Sequence, residues 1–289
     1  MLYLLITIFI VLLGYFLYKG HKNTHSVAIN YMKLEKESPS LLSTSIRILH
    51  ISDMHIENIS ITPEQLYLNL KDQPIDLIAL TGDFLDRKRS IPKLIPYLNA
   101  LKKLNPTYGA YAVFGNHDYV LRDFYFEELK TLLNEHGFKT MQNEHESKEV
   151  DGKRVNIIGI DDFSTSRSNI AQSYEKIGTG YNLVLTHDPN IVLNMADYHF
   201  DYLLSGHFHG GQIHWPKPYH LVKMGKLVRM NMVKGLHYYG GRPFYISEGL
   251  GQTGVNIRVG SRPEITYHDL QLHAEPEENI DIEEAIIAG

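Results

Sequence analysis

No cysteine occurs in the 289 residues. A disulfide framework, thiolate zinc sites, iron–sulfur clusters and a cysteine nucleophile are therefore excluded. The compartment stays open, since a cysteine-free chain suits either side of a membrane. An excess of base is missing as well: 28 Lys and Arg stand against 33 Asp and Glu, a formal net charge of −5. A general nucleic-acid binder carries the opposite balance, so no nucleic-acid partner is expected. Internal repeats and low-complexity stretches are lacking before the C-terminal tail. With 43% hydrophobic and 21% charged residues, the chain is neither collagen-like nor globally disordered, and it is long enough to bury a full core. Histidine is what abounds, at 16 residues. It is the commonest metal ligand and titrates near neutrality, so metal chemistry is the first class to consider.

One long apolar run is present, from Leu2 to Tyr18, with no charged residue in it. At a rise of about 1.5 Å per residue it sits at the lower limit for crossing a bilayer core. Neither a basic leading region nor a small-residue cleavage site is evident, so residues 1–19 are expected to form an uncleaved single-pass anchor in the cell membrane. No Lys or Arg precedes the run, whereas Lys19 and Lys22 follow it; the positive-inside tendency then places the catalytic part in the cytoplasm. Residues 20–45, with Ser38-Pro39-Ser40, read as a connector carrying a possible edge strand at Val27–Leu34. At the other end, Glu275 to Gly289 hold six acidic groups and no base; taking those six from 33 leaves 27 acidic against 28 basic residues. The charge of −5 thus describes residues 274–289, expected to be a disordered or loosely docked tail. The body, residues 46–273, is near neutral.

Within that body, short apolar runs alternate with helical stretches. Strands are expected at Ile48–Ile51, Asp76–Thr81, Tyr111–Phe114, Val155–Ile160, Tyr181–Thr186, Tyr202–Ser205 and Phe244–Ser247, with helices at Pro63–Asp72, Ile91–Leu104 and Asp123–His136. Thr62 followed by Pro63 is a helix-start signal. The alternation predicts an α/β sandwich with ligands gathered where strands stop. The chemistry stands at those ends: Asp53-Met54-His55, Gly82-Asp83, Gly115-Asn116-His117-Asp118, Thr186-His187-Asp188 and Gly206-His207-Phe208-His209-Gly210. A single strand-terminal Asp is often a helix cap and a lone His a packed residue. Five such segments delivering oxygen and imidazole donors to one edge point to a metal site.

This series, Asp-x-His, Gly-Asp, Gly-Asn-His-Asp, His and Gly-His-x-His in that order, resembles the calcineurin-like metallophosphoesterase family from about Arg47 to Leu270. The stretch Ser205 to Pro216, Glu248-Gly-Leu-Gly and Arg262-Pro-Glu-Ile265 are similar to its bacterial membrane-anchored branch, some members of which hydrolyse UDP-2,3-diacylglucosamine. The resemblance implies a four-layer α-β-β-α sandwich holding two divalent metal ions. Asp53, His55, Asp83 and His209 would bind the first, and Asp83, Asn116, His187 and His207 the second, with Asp83 bridging. Nitrogen and oxygen donors suit Mn²⁺ first, with Fe²⁺ or Zn²⁺ as alternatives. A hydroxide shared by the two ions would attack phosphorus. His117 would protonate the leaving group, and Asp118 would support His117 or serve the hydrogen bonds of its own turn.

Other residues read as structural. Asp86 and Arg87 suit a solvated turn, Asp161-Asp162 a supporting or capping feature, and His50 a packed core histidine; His21, His25, His145 and His273 need no function. From Tyr202 to Ser247 there is no Asp or Glu, while Lys217, Lys223, Lys226, Arg229, Lys234 and Arg242 mix with Trp215, Tyr219, Leu221, Met224, Leu227, Val228, Met230 and Met232. Such a mixture suits a membrane interface, with Lys223, Lys226 and Arg229 as substrate-binding candidates, or else an extended hairpin with a solvated basic face. The function expected is hydrolysis of a phosphodiester or diphosphate bond in a phosphorylated small-molecule or lipid substrate. A phosphoesterase of soluble cyclic nucleotides or phosphomonoesters, or a non-catalytic metal-stabilised scaffold, is the alternative; the unbroken ligand series and His117 argue against the scaffold.

Overall fold

The computed structural model describes residues 1–34, 44–214 and 217–272; Ser38-Pro39-Ser40, Trp215, His273 and the acidic tail lie outside them. The chain opens with helix α1 (Leu2–Thr24), and its elements continue as β1 (Ala28–Leu34), β2 (Thr44–Ile51), α2 (Pro63–Leu70), β3 (Leu77–Thr81), α3 (Ile91–Lys102), β4 (Ala110–Val113), α4 (Asp123–Glu135) and β5 (Phe138–Thr140). The second half contains β6 (Glu144–Val150), β7 (Lys153–Gly159), α5 (Ile170–Ser173), β8 (Tyr181–Leu185), β9 (Tyr202–Ser205), α6 (Lys226–Arg229), β10 (Gly235–Tyr239), β11 (Arg242–Ile246) and β12 (Glu264–Leu272). Two six-stranded sheets result, with orders β1-β12-β2-β3-β4-β5 and β10-β11-β9-β8-β7-β6.

The period of two along each strand explains the layering. On β2, Ile46 and Ile48 pack between the sheets, while Leu49 and Ile51 face the helices; β3 repeats this with Leu77 and Ala79 inward and Ile78 and Leu80 outward. Across the gap, Leu183, Leu185, Tyr202, Leu204 and Tyr245 meet them from β8, β9 and β11. The other faces of those strands carry Val184, Leu203, Phe244 and Ile246 into an outer core with Ile191, Leu221 and Leu227. Apolar burial on both faces of both sheets gives a four-layer α-β-β-α sandwich, as the resemblance implies. Each fully buried Leu or Ile contributes about 1.5–3 kcal/mol.

Three parallel strands of the first sheet (β2, β3, β4) and three of the second (β8, β9, β11) run alongside one another within their sheets. Their C-terminal ends carry the polar segments singled out above. Thr62 caps α2 with a capping box to Gln65, and Pro63 is its first residue, as the start signal predicts.

Among the described residues α1 is the one helix long and apolar enough to span a membrane, and its apolar window is not buried in the protein. It extends past residue 19 to Thr24, and there the environment changes: Gly20 and Thr24 are buried. Gly20 O accepts from Arg258 N at 2.9 Å, and Thr24 Oγ1 lies 2.7 Å from Ser60 Oγ. The expected edge strand forms as β1, parallel to β12.

Candidate metal centre

The strand-end segments converge through turns with unusual backbone. Asp53, His55, Asp83, His207 and His209 all have positive φ, between 35° and 75°. The left-handed region costs a non-glycine residue about 1–2 kcal/mol, and such conformations gather at functional sites because surrounding structure over-determines them. The clearance is equally tight. A Cβ at Gly206 would collide with Ser52 Oγ and Asp53 Oδ2, and one at Gly115 with the Asp83 carboxylate.

Three groups of donor atoms assemble, each within 4.8 Å: Asp53, His55 and His209 in one and Asp83, His187 and His207 in another, all buried, with His55, Asp86 and His117 as a partly buried third. His209 Nε2 lies 3.3 Å from Asp53 Oδ1, and His187 Nε2 3.1 Å and His55 Nε2 3.5 Å from Asp83 Oδ2. Asn116 lines the same 370 Å³ cavity as Asp83, His117, His207 and His209. The Thr81 carbonyl accepts from His187 Nδ1 at 2.7 Å, which turns Nε2 toward Asp83. Three buried atoms, His55 Nε2, Asn116 Oδ1 and His209 Nδ1, have no hydrogen-bond partner. Leaving a buried polar atom unsatisfied costs about 1–3 kcal/mol, and a divalent cation would satisfy the first two, His55 Nε2 lying 3.5 Å from Asp83 Oδ2 and Asn116 lining the cavity beside it. The donor set therefore fits metal ions.

Electrostatics separate the imidazoles. Burial opposes a charge on His187 and His55. For His187 the charge and hydrogen bond of Asp83, with the charges of Asp53 and Asp162, together outweigh burial; for His55 the hydrogen bond with Asp86 and the charges of Asp83, Asp53 and Asp86 do so. Both pKa values rise above the ordinary one. Burial wins at His209, pushed down to about 3, and lowers His207 too. Two imidazoles thus hold protons that a cation must displace, and two are already neutral ligands.

Two expectations need correction. Asp118 does not support His117: its oxygens accept from the amides of Asp83, Gly115 and Phe84 at 2.9, 2.9 and 2.8 Å. It ties the ends of β3 and β4 together, so the turn reading prevails. Burial and the Asp83 charge push its pKa up to about 7. The second correction concerns Asp86, which is no solvated turn residue. Half-buried, its Oδ1 accepts from His55 Nδ1 and His117 Nδ1, each at 2.9 Å. Burial disfavours its charge, but those two imidazoles hold the carboxyl well below the usual range. On His117, burial is outweighed by the Asp86 hydrogen bond and the Asp83 charge, and the pKa rises to about 9. Asp86 follows Asp83 by three residues, and that spacing was the only signal in the sequence.

The basic apolar segment divides. Leu221 and Leu227 are buried in the outer core, while Tyr219, Val222 and Met230 are exposed. It is short helical turns followed by the β10–β11 hairpin rather than a hairpin throughout. Lys223 and Lys226 line a second cavity of about 920 Å³ that touches His207, together with Ser168, Asn169 and Asn194. Arg229 lines neither cavity. The other predicted structural residues behave so: His50 is buried with Nε2 2.8 Å from Thr81 Oγ1, and Asp162 accepts from Ser164 Oγ and Thr165 N, closing its own turn.

Comparison with known proteins gives a consistent picture. Residues 46–211 match the family described as calcineurin-like phosphoesterase. The chain is 66% identical over 255 residues to the uncharacterized metallophosphoesterase YkoQ of Bacillus subtilis, covering 88% of this chain and 94% of that protein. It is 27% identical to phosphodiesterase YaeI of Escherichia coli over 78% of this chain and 82% of that one. With UDP-2,3-diacylglucosamine pyrophosphatase LpxG of Chlamydia trachomatis it shares 26% identity, over 76% and 82% of the respective chains.

Proposed function

The chain belongs to the calcineurin-like phosphoesterase family and is a metal-dependent phosphoesterase, and from that premise we propose a membrane-anchored hydrolase of a phosphodiester or diphosphate bond in a lipid-bearing substrate. Asp53, His55, Asp83 and His209 would hold one divalent cation, and Asp83, Asn116, His187 and His207 the other. Mixed carboxylate, amide and imidazole donors favour Mn²⁺, ahead of Fe²⁺ or Zn²⁺. When bound, such a pair supplies an activated water at neutral pH and neutralises charge on the phosphoryl oxygens. The protein's own part is proton delivery and placement. His117, charged below about pH 9, donates its proton to the leaving-group oxygen. Asp86 orients that ring and, through the same oxygen, the ring of His55.

The observation that carries the substrate reading is the pair of cavities meeting at His207 and Met224. The smaller is walled by Ile213, Leu221 and Val255 beside His117. The larger mixes Ser168, Asn169 and Asn194 with Ile170, Ile191 and Leu193, and its rim lysines Lys223 and Lys226 are exposed with no ion-pair partner among the described residues. A substrate with an apolar part, a scissile phosphate and a polar anionic part fits across them; UDP-2,3-diacylglucosamine, named for the Chlamydia relative, has this chemistry. The anchor supports the same reading. Its last turn is built into the folded body at Gly20 and Thr24, as suits a retained helix rather than a removed leader, and Lys19 and Lys22 support a cytoplasmic catalytic body.

The test is hydrolysis of bis-p-nitrophenyl phosphate with Mn²⁺, with and without chelator, then of lipid extracts. Metal-dependent turnover lost in Asp83→Ala supports catalysis; full turnover by that variant would defeat it. Replacing Lys223, Lys226 and Arg229 by Glu should raise KM for the lipid substrate more than for the chromogenic diester. Equal losses on both, or preference for a soluble cyclic nucleotide, would overturn the lipid part.

A further inference from the structure

Arg258 is fully buried, and no carboxylate pairs with it among the described residues. A buried charge without an ionic partner is costly unless hydrogen bonds compensate. Here the guanidinium has five. Nη1 donates to His209 O at 2.9 Å, Glu248 O at 2.7 Å and Ser261 Oγ at 2.8 Å, and Nη2 to Gly249 O at 3.0 Å and Gly251 O at 2.6 Å. Apart from Ser261, close to Arg258 in the chain, the acceptors belong to two segments that flank one donor group. His209 is itself a candidate ligand, held in a left-handed turn. The 248–251 loop lies against the end of β2: Leu250 N donates to Ser52 O at 2.9 Å and Gly251 N to Asp53 O at 2.7 Å. One planar fork therefore fastens the backbone of His209, beyond β9 of the second sheet, to the 248–251 loop, whose amides in turn hold the backbone of Ser52 and Asp53 at the end of β2. Lysine, with a single donor centre, cannot span these acceptors.

The backbone of Arg258 is fixed from the other side by α1. Its N–H donates to Gly20 O at 2.9 Å and its carbonyl accepts from Asn23 Nδ2 at 2.9 Å. His21 Nδ1 lies 3.2 Å from Asn256 O. Gly20 packs so closely that a Cβ there would stand 3.1 Å from Ile257 Cβ. The chain of contacts runs without a gap from the end of the apolar helix to a candidate metal ligand.

We infer that Arg258 is a positioning residue for the Asp53–His55–His209 group and that the last turn of α1 holds Arg258 in place, making the anchor end of the chain a structural part of the metal centre. This rests on the reading of those three residues as a metal group. The experiment uses full-length protein in detergent, with Mn²⁺ titrated by calorimetry and followed by electron paramagnetic resonance. Wild type should bind two ions with a coupled-pair spectrum. Arg258→Lys should weaken one site at least about tenfold, the scale of lost ligand support, and leave an isolated-ion spectrum. Asn23→Ala and Gly20→Val should shift affinity the same way by less.

Leu66→Ala is the control, because it destabilises the helical layer away from the clamp and should still bind the coupled pair. Wild-type affinity for both ions in folded Arg258→Lys would overturn the assignment to Arg258. Wild-type affinity in Asn23→Ala and Gly20→Val would overturn the part of α1, and these two decide the matter if Arg258→Lys does not fold. Loss of one ion in Leu66→Ala as well would reduce the effect to general destabilisation. If wild type binds no Mn²⁺, the metal reading itself falls, a result distinct from the others.

Discussion

His50 and His268 are as completely buried as His55 and His187, yet the two pairs hold protons in opposite ways. The first pair lies between the sheets, with ring centroids 5.5 Å apart and Tyr245 edge-on to both. Their partners are hydroxyls: Thr81 Oγ1 for His50 and Tyr202 OH, at 3.0 Å, for His268. Burial then dominates, pushing His50 down to about 3 and His268 well below the ordinary value. The second pair sits at the strand ends against Asp83, and there the surrounding carboxylates, Asp83 for both rings and Asp86 for His55, together outweigh burial. Only Ile51 and Ser52 separate His50 from Asp53, so closeness in sequence does not make a histidine part of the site. What separates a structural histidine from a candidate ligand is the charge it faces, not its depth.

The largest test of this contrast removes the carboxylate. Asp83→Ala should bring bis-p-nitrophenyl phosphate turnover to background and abolish the coupled Mn²⁺ pair, since Asp83 faces His55 and His187 together. Next comes the proton donor: His117→Gln should lower kcat about 10²–10⁴-fold, the usual weight of a general acid, with both ions still bound. Asp86→Asn should cost about 10–100-fold and also move a pH profile. The sign follows from the raised pKa: His117 is protonated below about 9, so activity falls as pH rises through that value. Without the Asp86 charge the alkaline limb should shift to lower pH, toward the ordinary histidine value of about 6.5. An unmoved limb would remove His117 from the acid role.

A smaller effect concerns metal loading. Because His55 and His187 are raised above 6.5 in the metal-free site, binding must release protons, and Mn²⁺ affinity should keep rising as pH goes above 6.5. Calorimetry in buffers of different ionisation enthalpy measures that release. Least affected should be metal binding in His50→Leu. It should retain two ions and lose only stability, about 1–3 kcal/mol for the orphaned Thr81 hydroxyl, read by urea unfolding. Loss of an ion there would erase the distinction between the two histidine pairs.

Much of this was legible locally. Short apolar runs marked β2, β3, β4, β8 and β9, and each was followed within three residues by Asp, Asn or His. The capping signal at Thr62-Pro63 and the uncharged run of α1 needed no tertiary information either. The partners were not legible. Asp118 stands next to His117 in sequence and was a natural support for it, but the strand-end turn points its carboxylate at amides of β3 and β4 instead. Asp86 lies 31 residues from both His55 and His117 and reaches both. Arg258, in a loop without a motif, gave no sign at all.

Sequence alone determined which donors the strands would deliver and to which edge, because alternation and strand termination are properties of neighbouring residues. Only the tertiary structure decided which carboxylate meets which imidazole, because that depends on strand order across two sheets and on five left-handed turns whose cost the surrounding packing must sustain. The missing cysteine belongs to the first category, since it confined any metal site to nitrogen and oxygen donors. The clamp between α1 and His209 belongs to the second, where a guanidinium collects carbonyls that the chain brings together only on folding.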